Sequence, residues 1–107
     1  MTYKLYYYRG PASLAQENDL ITTLSEEEFL LMLPALKALA NRGGVVFAIQ
    51  NKEVALNQVS VGNLVDVVRD LIVHKTDPEE LAAMERLNLF ARKAREKELG
   101  IVFKPLS

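Results

Sequence analysis

Asp66, Asp70 and His74 are spaced four residues apart. If residues 64–74 are helical, two carboxylates and an imidazole share one face, a donor set that suits a divalent metal. A solvated polar face with Arg69 and Lys75 as ion-pair partners accounts for the same residues. His74 is the only histidine, and nothing around it in the sequence would orient its ring. Ser25 stands beside Glu26, Glu27 and Glu28, but no base is placed to activate its hydroxyl. Gly43-Gly44 fits neither of the glycine-rich phosphate-binding patterns. The chain has no cysteine, which excludes disulfides, thiolate catalysis and cysteine-ligated zinc. The expectation is a protein that is not an enzyme and uses no cofactor or metal.

Two other groups point to binding. Arg86, Arg92, Lys93, Arg95 and Lys97 fall within twelve residues, with Glu96 among them. Such a basic face can neutralise phosphates and release their counterions. A solvated helix end, where cations complement the dipole, is the plainer explanation. Glu85, Glu96 and Glu98 lie close by, no aromatic is interleaved at 92–98 for base stacking, and the net charge is -1. Nucleic-acid contact through those five cations is therefore the alternative reading.

The leading reading comes from apolar surface. All four tyrosines lie between residues 3 and 8. In a strand, Tyr3, Leu5 and Tyr7 point to one face and Lys4, Tyr6 and Tyr8 to the other. Leu30 and Leu31 widen a helical stripe beyond what one sheet face needs, and Ile101-Val102-Phe103 adds more apolar area. Surplus apolar surface marks partner contacts, and interfaces favour aromatic anchors. Tyr6, Tyr8, Leu30 and Leu31 are the candidate contact residues of a non-catalytic protein-interaction module. Its partner is a protein, and it is expected to self-associate as a homo-oligomer, most simply a dimer.

These groups must be positioned by a single domain, residues 1–107. Hydrophobic residues make up 50% and charged residues 25%, as in an ordinary globular fold. Even the longest unbroken apolar runs, such as Phe29 to Leu33, are far below the roughly 20 residues that span a bilayer. No membrane contact and a cytoplasmic location are expected.

Thr2 to Arg9 reads as a strand and Leu20 to Leu24 as a short extended piece. Ser25 and Glu28 form a capping box that opens a helix over about 26–42, with Pro34 expected to kink it and Gly43-Gly44 to stop it. Val45 to Ile49 and Val54 to Leu56 read as a hairpin around a turn at 50–53. Residues 57–63 read as irregular, with Gly62 as a break. Residues 64–74 favour strand by propensity and helix by period, and a strand over about 64–68 is expected. Asp77 caps a second helix with Pro78 in its first turn, running to about Leu99 and stopping at Gly100. Pro105 should limit any strand in the apolar tail.

The predicted fold class is α+β: a small antiparallel sheet from residues 3–9, 45–50, 53–56 and 64–68, the capped helix packed on it, and a charged carboxy-terminal helix over about 78–99. Whether that last helix packs or projects decides whether Tyr6 and Tyr8 are covered.

The tyrosine-rich start, Asp19 to Phe29, the leucine helix ending in Gly43-Gly44, and Val46 to Leu56 together resemble small uncharacterised proteins encoded by phages and prophages of Gram-positive bacteria. The likeness is strongest over residues 19–68 and rests on pattern. Pro34 and the valine-rich stretch at 64–73 depart from it. The resemblance implies an accessory protein that binds a host or phage component, and it carries no catalytic residue.

Overall fold

The computed structural model describes residues 2–9, 19–41, 45–48 and 53–106. Its elements run β1 (Thr2–Tyr8), β2 (Leu20–Ser25), α1 (Glu26–Asn41), β3 (Val45–Ala48), β4 (Glu53–Leu56), α2 (Gln58–Ile72), α3 (Pro78–Glu96) and β5 (Gly100–Leu106). The five strands form one antiparallel sheet in the order β2-β1-β5-β4-β3. The fold is α+β, as the sequence predicts. The expected stop at Gly43-Gly44 and residues 50–52 of the turn expected at 50–53 lie outside the described residues, while Glu53 opens β4.

All three helices share one sheet face. Their buried residues join Tyr3 and Leu5 of β1, Val54 and Leu56 of β4, and Ile101 and Phe103 of β5 in one core. Phe29 of α1 stacks on Tyr3 with ring centroids 3.9 Å apart, and meets Phe103 edge-on at 5.7 Å. Tyr7, half-buried, packs against the same core.

Helix α1 begins as expected, with Ser25 Oγ accepting a hydrogen bond from the Glu28 amide at 3.1 Å. It continues through Pro34, which is exposed. The carbonyl of Leu30 loses its intrahelical donor there.

Three expectations are corrected. Residues 64–68 are not a strand but the middle of α2, so helical period prevails over β propensity. Leu64, Val65, Val67 and Val68 are buried, and burial on a helix bundle outweighs the small cost of β-branching. Residues 57–63 are not irregular: Asn57 caps α2 by accepting from the Ser60 amide at 2.8 Å, and Gly62 lies within the helix. Residues 100–106 are not a weak tail but β5, a central strand. Pro105 lies beyond Phe103↔Val54, the last pair that β5 makes with β4 among the described residues.

The end of α3 also differs. Gly100 does not stop it. The chain turns at Glu98, which adopts a left-handed φ of 56°. The Glu98 amide donates to the Arg95 carbonyl and the Leu99 amide to the Ala94 carbonyl, the paired bonds of a Schellman motif. Gly100 serves the sheet instead. A Cβ there would lie 2.5 Å from the Leu56 carbonyl oxygen and 2.6 Å from the Tyr8 ring. Glycine lets the ring of its cross-strand partner Tyr8 lie over the strand.

Candidate functional site

Helix α3 carries the basic cluster, and it packs against the core through Ala83, Met84, Leu87, Phe90, Ala91 and Ala94. Packing fixes its rotation and sends the five cations to different places. Arg86 faces α1 and β2. Its guanidinium pairs with the Glu28 carboxylate, donates to Thr22 Oγ1 at 3.0 Å, and lies 5.5 Å from the centroid of the Phe90 ring. The Lys97 ammonium lies 5.2 Å over the Tyr7 ring. These two cations serve the fold.

Arg92 and Arg95 face α2. With Asn88 they follow one another at i, i+4 and i+7, a single helical stripe. Val65, Arg69, Ile72 and Val73 repeat that spacing on α2. The two stripes enclose a groove of about 340 Å³ between the helices. Its floor is apolar: Val65 is buried, Ile72 half-buried, and Val73 stands 76% exposed at the rim. Three guanidiniums surround that floor. Arg69 meets Asp66 at 3.8 Å, an exposed and weak pair. The guanidiniums of Arg92 and Arg95 have no hydrogen-bond or ion-pair partner among the described residues. Lys93 faces away, into an adjacent cleft of about 420 Å³ that Arg92 also borders and that Glu85 and Glu96 make partly acidic.

A third cleft, of about 280 Å³, lies between the first halves of α1 and α3. Leu31, Ala82 and Ala83 line it, with Glu27, Glu28, Glu79 and Arg86 around them.

The four apolar candidates also separate. Leu31 is half-buried in the third cleft, whereas Leu30 is 55% exposed on the outer side of α1. Helix α3 packs on the face away from Tyr6 and Tyr8, so it does not cover them. Tyr6 is nevertheless only 7% exposed, level with the fully buried Val102 and beneath the Lys104 ammonium at 5.6 Å. Tyr8 is half-buried over Gly100. Burial pushes the phenols of Tyr7 and Tyr8 above their ordinary value of 10.0.

Asp66, Asp70 and His74 are all exposed, and α2 ends before His74. Among the described residues, no group of three or more acidic, histidine or cysteine side chains is placed to hold a metal ion. Lys75 pairs with Glu80 at 3.3 Å instead of with the aspartates. No helix among the described residues is long and apolar enough to cross a membrane. Arg69 is the groove cation that the sequence reading did not place in a site. Its signal was present in the i, i+4 spacing from Val65, but reading 64–68 as a strand hid it.

The chain matches no protein-family model, no curated protein and no solved structure.

Proposed function

We propose that this protein is a non-catalytic interaction module that grips another protein through the groove between α2 and α3. The observation that carries this reading is the set of three guanidiniums around an apolar floor, two of them without a partner among the described residues. Arginine forks match carboxylates in bidentate geometry, and the floor adds apolar area to each contact. The complementary ligand is an acidic segment of a protein with an apolar side chain between its carboxylates. In line with the resemblance to phage and prophage proteins, that partner is a host or phage protein, and a cysteine-free chain suits a reducing cytoplasm.

Cross-linking and pull-down from the native host tests this. The wild-type chain should recover a partner that the Arg92→Ala, Arg95→Ala double variant does not. Equal recovery by both removes the groove from the interaction.

Nucleic acid is the second reading, favoured by the outward position of Arg92, Lys93 and Arg95 on α3. No aromatic among the described residues lines the groove, and Glu85 and Glu96 flank it, which opposes a long polyanion lying along the helix. A gel shift across a salt series checks it, since phosphate contacts must weaken steeply with salt.

A further inference from the structure

We infer that the anion this groove reads is a phosphorylated side chain of the partner protein, held by Arg69, Arg92 and Arg95, with the residue next to it lying on Ile72 and Val73. The inference rests on the groove being a protein-binding surface and narrows what that surface accepts. Three guanidiniums and the Asn88 amide line the groove, and no carboxylate among the described residues does. The two other clefts described above mix the signs: carboxylates stand with Arg86 in one and with Lys93 in the other. Helix packing thus collects positive charge at one place. The weak, exposed contact of Arg69 with Asp66 offsets little of it.

Charge and shape together favour a phosphate monoester over a carboxylate. A carboxylate carries one charge and is filled by a single guanidinium fork. A phosphorylated side chain carries about -1.5 to -2 at neutral pH and offers three acceptor oxygens, so it answers more than one guanidinium at one point. The cavity of about 340 Å³ is at the small end of sites that enclose a ligand, so the three cations surround one space and do not line a track. A nucleic-acid phosphate is a diester with one charge, and a strand of them would meet Glu85 and Glu96 beside the groove. The floor selects for a protein chain. Ile72 and the 76% exposed Val73 offer aliphatic surface to a neighbouring apolar side chain, which a free phosphate lacks. The interaction is then switched from the partner's side: present when its hydroxyl is esterified, absent when it is free.

Titration calorimetry with three synthetic peptides tests this: leucine on either side of phosphoserine, glutamate or serine. The phosphoserine peptide should bind about tenfold or more tightly than the glutamate peptide, and the serine peptide should not bind. Arg92→Ala with Arg95→Ala should abolish binding. Arg92→Lys with Arg95→Lys keeps the charge without the forks and should weaken binding several-fold. Lys93→Ala, outside the groove, should leave it unchanged. Unchanged melting temperatures exclude misfolding as the cause. Phosphatase treatment of the host extract should also remove the partner from the pull-down. Equal binding of the phosphoserine and glutamate peptides, or equal recovery of the partner after phosphatase, overturns the inference and leaves the groove as a reader of acidic segments. Binding of none of the peptides overturns it too. So does displacement of the phosphopeptide by an equal concentration of inorganic phosphate, which shows a free-anion site, or an oligonucleotide that binds more tightly than the phosphopeptide.

Discussion

The two halves of α3 carry the same residue type to opposite ends. In the first half, Arg86 is consumed: a carboxylate, a hydroxyl and an aromatic ring surround its guanidinium. In the second half, Arg92 and Arg95 border a groove and pair with nothing among the described residues. What separates them is the helix opposite. Helix α1 offers Glu28 to the first half, whereas the facing stripe of α2 brings another arginine to the second. A run of cations in a sequence is therefore not one feature. Its members divide according to the charge on whatever packs beside them.

Four changes break or sharpen this contrast. Leu87→Ala should have the largest effect, because Leu87 is fully buried between the two halves and anchors both. A loss of roughly 2–5 kcal/mol is expected in chemical denaturation. A loss below that would mean the halves are held separately. Arg86→Ala should cost about 1–2 kcal/mol, since it leaves the half-exposed Glu28 without its cation and removes the contact with Phe90. A neutral result would place Arg86 with the other surface arginines.

Glu98→Gly should act in the opposite direction. Glycine adopts the left-handed φ at the end of α3 without the steric cost that Glu98 bears, so a gain of about 1 kcal/mol is expected in the same measurement. Arg92→Ala with Arg95→Ala should be the smallest, within about 0.5 kcal/mol of wild type, because both side chains are exposed. A thermal melt that fell by several degrees would show that the groove is part of the fold.

Much of the scaffold was legible because its signals are local. Ser25 before three glutamates, and Asp77 before Pro78, fix helix starts through groups a few residues apart. The tyrosine strand was legible because alternation is a local pattern. What stayed hidden depends on distant partners. The valines of α2 look like strand residues until the core between α1 and α3 is there to bury a helix. Asn57 was readable as a cap in principle, but Gly62 drew attention to a break that the helix does not make. Pro105 argues against a strand only if both sides of that strand are paired, and among the described residues the pairing with β4 stops at Phe103. The site followed the same rule. Arg92 and Arg95 could be named from the sequence. That Arg69 joins them while Arg86 leaves them follows from how three helices pack on one sheet.

The pairing of β1 with β5 sets a timetable for folding. Thr2 lies opposite Leu106, with almost the whole chain between them. That is a highly non-local contact, and such contacts form slowly. The ribosome delivers β5 after every other described element. Until it arrives, β1 and β4 are separate edges, and the hairpin of β1 and β2 holds Tyr6 and Tyr8 beside an unpaired ladder. The last of the described strands to be made is the one that joins the two parts of the sheet, so the nascent chain is most exposed to intermolecular strand pairing until β5 becomes available.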